Sequence, residues 1–519
     1  MIFKSPYADV DIPNVSLQHY ILSRMVNYGD KPALIDGPSG RTLTYAQLVQ
    51  MINGLANGLQ ARGFGKGDVF AVLSPNIPEY PVLFHGVGLA GGITTTMNPL
   101  YAVEEIVHQL EDSSARYLIT VPPFVENALA AAEQVNSVEE VFVFGEAEGA
   151  TPVTALFGQS APEPVEIDPA EDLVVMPNSS GTTGLPKGVM LTHRNMVANI
   201  VQLEGIEPVT DQDVIIAVLP MFHIYGMELI INVSLANGAT IVTMPRFDMA
   251  QFLQLVQDHK VTKAHLVPPI LLGLAKHPVV DQFDTTSVRV IVSGAAPLDA
   301  ALGQAVAERL GCIVKQGYGL TETSPVLMVN PDDKPRDGTV GPAVRGTEFM
   351  IVGVDSGEPL GPGQRGELWA RGPQVMKGYL NNPEATAASI DGDGWFRTGD
   401  IAEVDEDGYV AIVDRVKELI KYKGYSVAPA RLEGILIAHP AILDAAVIPS
   451  PDEEAGEVPK AFVVVKEPVS EEDIMAYVAE HVAPQERVRR VAFIEEVPKS
   501  ASGKILRRVL IEQERAAAQ

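Results

Sequence analysis

The sequence predicts an α/β protein. It has a large N-terminal domain of mixed, largely parallel sheets with helices, a small barrel-like subdomain, and a small α+β C-terminal domain. Three observations carry this expectation. Short β-branched apolar runs alternate with helical patterns, as βα units in parallel sheets do. After about Gly338, glycine and proline become frequent and short strands are set off by turns. The C-terminal stretch mixes helical and strand-like segments of its own.

Taken in order, VFAVLSP (Val69 to Pro75) and VIIAVLP (Val214 to Pro220) are apolar runs that end in a turn. LVVMPN reads as a strand leading to Ser179. VRVIVSG (Val288 to Gly294) is followed by AAPLDAALGQAVAERLG, where Ala, Leu and Val recur at helical spacing. GELWARG and GYVAIVDR are short strands of the barrel-like part. DRVKELIKYKG is a dense charged segment with few breakers. Beyond it, ARLEGILIAH and SEEDIMAYVAEHV are helical, and AAVIPS, AFVVVKE and VAFIEEV are strands. The change of character places a domain boundary near Asp414 to Lys417.

Composition narrows the function classes. With 46% hydrophobic and 20% charged residues, the chain can bury a large core. A net charge of −28 argues against nucleic acid as a partner, because phosphate backbones need a basic surface. The single cysteine, Cys312, lies beside apolar residues and reads as a buried structural thiol. No apolar run has signal-peptide or transmembrane length, so the expected location is the cytoplasm.

The chemistry begins at SSGTTGLPKG, Ser179 to Gly188. Gly and Pro penalise helix and strand alike, so this is a loop. It fails the G-x-x-x-x-G-K-[ST] pattern of the P-loop, because Pro186 precedes Lys187 and Gly188 follows it. Glycines nonetheless let backbone N–H groups approach phosphate oxygens, hydroxyls donate to the same oxygens, and Lys187 supplies charge. The alternative is an ordinary surface loop, since Gly/Ser/Thr clusters are common in loops.

The wider wording decides between them. SSGTTGLPKGV with MLTH resembles the phosphate loop of the adenylate-forming superfamily: acyl-CoA synthetases, luciferase-type enzymes and peptide-synthetase adenylation domains. LPMFHIYG, VSGAAPL, QGYGLTE, WFRTGD, DRVKELIKYKG and PKSASGKILRR follow in family order. KELIKYKGY and PLYAVEE are similar to the 4-coumarate:CoA ligase-like acyl-CoA synthetases. The resemblance implies ATP, Mg²⁺ and CoA as reactants and cofactor, and a hydrophobic carboxylic acid as substrate.

It also implies site residues. Ser179, Ser180, Gly181, Thr182, Thr183, Gly184 and Lys187 match the cradle for the β- and γ-phosphates. Tyr318 matches the aromatic that stacks adenine, and Ala296, Gln316 and Gly317 line the adenylate. Thr321 matches a donor to the α-phosphate and Glu322 the Mg²⁺ ligand. Asp400 matches the carboxylate that binds the ribose hydroxyls, and Arg415 a second ribose or phosphate contact. His223 stands alone in an apolar stretch, where a histidine is usually a satisfied core residue; the family places it near the acyl carboxylate. Ile224, Tyr225, Leu229, Val292, Ala295, Gly317, Pro325 and Val326 line the acyl pocket. Leu229 stands where the coumarate enzymes often carry a small hydroxyl residue, which points away from a phenol-bearing cinnamate.

The family's C-terminal domain is mobile. The chain accordingly divides into 1–414, a hinge at 415–417 pivoting on Lys417, and 418–519. One pose delivers Lys504 to the carboxylate and α-phosphate. The other presents Lys421, a further catalytic candidate, together with Lys423 and Gly424 as CoA contacts, while Arg246 matches a contact to the CoA phosphates. Three departures stand out: Asn178 where an aromatic is usual, Ser426 for a glutamine, and Gln485-Glu486 for a more basic or aromatic pair. The competing expectations are loading of a carrier-protein thiol, luciferase-like oxygenation, and non-catalytic binding. Intact Lys187, Glu322, Asp400 and Lys504 oppose the last.

Overall fold

The computed structural model describes residues 1–179, 186–423, 425–452, 454–500 and 503–517. Among these, the strands form four sheets. Two are eight-stranded. The first runs in space Gly378–Tyr379, Lys187–Thr192, Leu173–Ser179, Ile93–Met97, Val69–Leu73, Tyr117–Thr120, Glu140–Val143, Thr151–Pro152. It is parallel from Leu173–Ser179 onward, and antiparallel where Lys187–Thr192 meets its two neighbours. The second centres on the parallel strands Ile313–Gly319, Val290–Ser293, Lys263–Leu266, Val214–Ala217, Thr240–Thr243 and Pro32–Asp36. Antiparallel strands Val326–Val329 and Thr42–Thr44 close its two edges. Val214–Ala217 and Val290–Ser293 read as apolar runs because both faces are covered.

Helices fill the space between the sheets. Tyr45–Ala61 starts on a capping box, in which Thr44 accepts from Gln47 N–H while the Gln47 side chain accepts from Thr44 N–H. It packs on Tyr80–Leu89 so closely that a Cβ at Gly86 would lie 2.6 Å from Leu55. Gly226–Val233 is a wholly buried π-helix, a form that concentrates at functional sites. Phe70, Phe142, Tyr117 and Phe64 form an aromatic cluster across the first sheet, with Phe70 edge-on to Tyr117 at 5.7 Å between centroids. Full burial of such side chains contributes about 1.5–3 kcal/mol each.

The barrel-like expectation corresponds to a five-stranded antiparallel sheet, Phe3–Lys4, Glu348–Val352, Gly366–Arg371, Phe396–Val404 and Val410–Arg415. The fourth sheet follows at once, built from Ile420–Tyr422, Tyr425–Val427, Ile442–Asp452, Gly456–Val465 and Arg490–Phe493. Helices Pro429–Ala438 and Glu471–His481 match the two helical stretches read from sequence. Within the dense charged segment DRVKELIKYKG, Ile420–Tyr422 is a strand paired with Tyr425–Val427. A last helix, Arg507–Ala517, follows the PKSASGKILRR motif and begins within its final two residues. Arg507 anchors it, pairing with Glu418 and, at 2.6 Å, with Glu433. No helix of the described residues is long and apolar enough to cross a membrane.

Candidate active site

The C-terminal ends of the second sheet's parallel strands, the five-stranded sheet and the C-terminal region together enclose a cavity of about 1130 Å³. Ligands in open α/β sheets bind beyond the carboxyl ends of the strands. Of the sequence-derived candidates, Ser179, Lys187, His223, Ile224, Tyr225, Leu229, Val292, Ala295, Ala296, Gln316, Gly317, Tyr318, Thr321, Glu322, Pro325, Val326, Asp400, Arg415, Lys417 and Lys504 all line it. Segments separated by more than three hundred positions therefore converge on one space.

At one end, Ser179 closes the strand Leu173–Ser179 and Lys187 opens its antiparallel partner, the two in register. Ser180 to Gly184 lie outside the described residues. Lys187 Nζ lies 4.9 Å from the centroid of the Tyr379 ring. The Tyr379 hydroxyl donates to Glu322 Oε1 at 2.8 Å. Lysine, phenol and carboxylate are thus chained across the cavity wall. Tyr379 is absent from the sequence-derived list; it sits in KGYLNN, well away from the motifs that draw attention.

In the middle, Asp400 is 4% exposed and holds two partners. The Tyr318 hydroxyl donates to Oδ2 at 2.5 Å, and Arg415 Nε donates to Oδ1 at 2.9 Å. Burial, and then the Asp400 charge, push the Tyr318 phenol well above its ordinary value, so it remains a donor. Gln316 accepts from Leu298 N–H at 2.8 Å, which fixes the SGAAPL turn beside Ala296. Ala295 in that turn has φ +67°, a left-handed conformation that costs a non-glycine residue about 1–2 kcal/mol.

Lys504 enters from the C-terminal region, held to Ser500 by two hydrogen bonds. Ser500 N–H donates to the Lys504 carbonyl at 2.8 Å, and Lys504 N–H donates to Ser500 Oγ at 3.2 Å. Burial, and then the nearby Arg415 guanidinium, lower the Lys504 ammonium from its ordinary value, while Asp400 and Glu322 oppose the shift. Burial, with Lys504 second, lowers His223 to about 4, so its imidazole is neutral at pH 7.

The acyl side is walled by Tyr225, Leu229, Val292, Val326 and their neighbours. A Cβ at Gly294 would lie 2.5 Å from the Tyr225 ring, so glycine is what lets that ring lie across the strand end. Two polar residues that the sequence reading passes over, Glu207 and His265, also line the cavity. Glu207 is fully buried, pairs with Lys263 at 2.5 Å and also with Lys315; Lys315 in turn pairs with Asp332. Burial disfavours the Glu207 charge, but the two lysines outweigh it and bring the carboxyl down to about 2.

Three described candidates lie elsewhere. Lys421 N–H donates to Glu457 at 2.8 Å, Lys423 pairs with Glu454 at 2.5 Å, and Arg246 is exposed; none of the three lines the cavity. Gly424 lies outside the described residues. Glu486, one of the departures noted above, is held by Arg431 at 2.7 Å.

A cavity that joins cations and carboxylates to an apolar pocket suits reactants with both anionic and apolar parts, as enzymes that activate organic acids must bind. The chain belongs to the AMP-binding enzyme family: residues 23–380 match the AMP-binding enzyme domain and residues 431–504 its C-terminal domain. Within the family it is similar to the 4-coumarate–CoA ligase of Pinus taeda, at 42% identity over 98% of this chain and 97% of that protein. It is 43% identical to 4-coumarate–CoA ligase 5 of Oryza sativa, over 98% of this chain and 96% of the relative. Among solved structures, it superposes on ATP-bound MatB from Rhodopseudomonas palustris with a TM-score of 0.88, at 29% identity over 97% of this chain and 100% of that one. The anthranilate CoA ligase AuaEII, in complex with anthranoyl-AMP, gives 0.89 at 26% identity, over 98% and 99%.

Proposed function

We propose that this protein is an AMP-forming acid:CoA ligase that takes a hydrophobic carboxylic acid, either arylpropenoic or medium to bulky aliphatic. In the first step a carboxylate oxygen attacks the α-phosphorus of ATP, the bond to the β-phosphate oxygen breaks, and diphosphate leaves. In the second, the CoA thiol attacks the acyl carbon, its proton passes to a base or solvent, and AMP leaves. The observation that carries the reading is the convergence of Lys187, Glu322, Asp400, Arg415 and Lys504 on a cavity that continues into an apolar pocket.

Each residue then has a physical task. Lys187 and the loop before it hold the departing phosphates. Asp400, with Tyr318 and Arg415 already on its two oxygens, presents a fixed acceptor to the ribose. Lys504 neutralises charge that gathers between carboxylate and α-phosphate, where fixed charges in a water-poor site act most strongly. Neutral His223 lines the acyl end without adding charge there. Glu322 fits magnesium, which favours one carboxylate plus phosphate oxygens. Among the described residues, no group of three or more His, Cys, Asp or Glu could hold a metal by itself, so the ion would come with the nucleotide. When bound it neutralises phosphate charge.

For the second step we propose that residues 418–519 turn about 415–417, withdrawing Lys504 and bringing Lys421, Lys423 and Gly424 to the site, with Arg246 on the CoA phosphates. A lysine needed at the phosphate must leave before a thiol can enter. We place the reaction in the cytoplasm, where ATP and CoA are both supplied.

Diphosphate release across a panel of acids, with and without CoA, tests the proposal. The expected result is acid-dependent diphosphate release and, with CoA, acyl-CoA and AMP. Acyl transfer only to a carrier-protein thiol would replace CoA as acceptor, and no diphosphate with any acid would end the reading.

A further inference from the structure

The first sheet has a crevice of its own. In space, four of its parallel strands run Ile93–Met97, Val69–Leu73, Tyr117–Thr120, Glu140–Val143. From Val69–Leu73 the chain goes to Ile93–Met97 on one side, then crosses back to Tyr117–Thr120 on the other. The order therefore reverses between Val69–Leu73 and Tyr117–Thr120. Doubly wound sheets bind ligands beyond the carboxyl ends of the strands at such a reversal. A cavity of about 400 Å³ lies there. Ile77 in the loop after Val69–Leu73, Val121 directly after Tyr117–Thr120 and Phe144 directly after Glu140–Val143 all line it. It shares no lining residue with the catalytic cavity.

Two of the segments that wall this space are pinned to other parts of the fold, which keeps it preformed, as small-molecule sites usually are. In loop 74–79, the Asn76 side chain donates to the Ala217 and Leu219 carbonyls, each at 2.9 Å, and accepts from Met221 N–H at 2.7 Å. Those bonds hold the loop to the second sheet. The turn Val153–Leu156 is fixed on the helix Tyr45–Ala61. There Gly158 N–H donates to the Gly54 carbonyl at 2.8 Å, and a Cβ at Gly58 would lie 1.7 Å from the Leu156 carbonyl oxygen.

The lining selects the occupant. Leu55, Val82, Leu83 and Val121 are buried, while Phe144 and Phe157 are partly exposed. Glu79 is the only charged residue among the described ones that line the cavity, and Arg41 is paired with it. Sheets of this kind often seat a phosphate on a glycine-rich turn and a helix N-terminus. Here loop 74–79 contains no glycine, and Glu79 stands at the N-cap of the helix Tyr80–Leu89. A carboxylate at that place disfavours an anion. A cavity of about 150 Å³ with a similar lining takes one benzene ring, so this one has room for about two rings and a substituent.

We infer that this crevice is a binding site for an uncharged, apolar molecule of about two rings, separate from the catalytic cavity. It excludes the anionic reactants of the ligase reading, and it does not depend on that reading.

A matched pair of brominated probes tests this on the full chain. 6-Bromo-2-naphthol is a phenol, uncharged at pH 7; 6-bromo-2-naphthoate has the same rings and is an anion. Anomalous scattering from bromine in crystals should place the naphthol in the crevice beside Leu83 and Phe144 and leave the crevice empty of naphthoate. In solution, calorimetry should show saturable binding of the naphthol. Its Kd should rise at least about 10-fold in T154W, at the exposed rim, and in L83F, at the buried floor. If L83F does not fold, T154W decides. Bromine only in the catalytic cavity, or nowhere, overturns the inference. So do naphthoate in the crevice, binding in crystals without saturable binding in solution, and an unchanged Kd in folded T154W. None of these measurements needs turnover, so their failure leaves the ligase reading standing.

Discussion

Tyr379 is the residue whose importance the structure adds. Its ring faces the Lys187 ammonium and its hydroxyl holds Glu322, so it sets the spacing between the cation proposed above to hold phosphate and the carboxylate proposed to hold magnesium. Tyr379→Phe keeps the ring and loses a hydrogen bond to a charged acceptor. A bond of that kind is worth about 1.5–3 kcal/mol. The expected outcome is a KM for Mg–ATP raised by about 10-fold with little change in the KM for the acid, read from initial rates of diphosphate release. Wild-type kinetics in Tyr379→Phe would remove it from the site. Sequence displayed Lys187, Glu322, Asp400 and Lys504 because each sits in a worded motif. Tyr379, His265 and Glu207 carry no such wording. Their partners come from distant segments, and only the folded chain reveals that Glu207 has two lysines at its carboxylate.

Individual elements were legible where pattern and environment agree. The strands at Val69–Leu73, Val214–Ala217 and Val290–Ser293 are apolar because both faces are covered, and the helix Ala300–Leu310 shows its period and ends on Gly311 in the left-handed region. Legibility failed where tertiary contacts decide, as in Ile420–Tyr422, which is a strand only because Gly456–Val465 and Tyr425–Val427 lie beside it. The helix Tyr80–Leu89 yields a pH prediction. It buries His85 with both ring nitrogens unpartnered, and burial lowers that residue to about 3. His193 and His265 are lowered to about 4, also chiefly by burial. Unfolded, each takes its proton near 6.5; folded, only at these lower values. Stability from these groups is therefore whole above pH 6.5 and is lost as pH falls towards 4. Asp414 acts the other way: burial raises it to about 7, so the fold takes up a proton before the unfolded chain does. His85→Leu removes one proton from the difference. Between pH 6 and 4 its unfolding free energy, measured in urea, should fall less steeply by about 1.4 kcal/mol per pH unit. An identical slope in the variant would show that His85 is protonated inside the fold.

For the molecule as a whole, the question is whether one lysine serves one step. Lys504 reaches the cavity in this arrangement, whereas Lys421 and Lys423 lie outside it. Lys504→Ala should lower diphosphate release by at least about 100-fold, a loss typical for removing a group that stabilises developing charge. Thioester formation from supplied acyl-adenylate and CoA should persist. Equal loss of both half-reactions would mean that no rearrangement separates them.

The N-terminal strand has a consequence for how the molecule is made. Phe3 and Lys4 pair with Phe349 and Glu348, and the Phe3 and Phe349 rings stack at 5.1 Å. Pro32–Asp36 likewise waits for Thr240–Thr243. At 5–20 residues per second, a ribosome needs roughly 20–70 s to deliver the partner of the first strand. For that interval the Phe3–Lys4 segment trails unpaired beside a growing nascent chain, and it docks long after it is made.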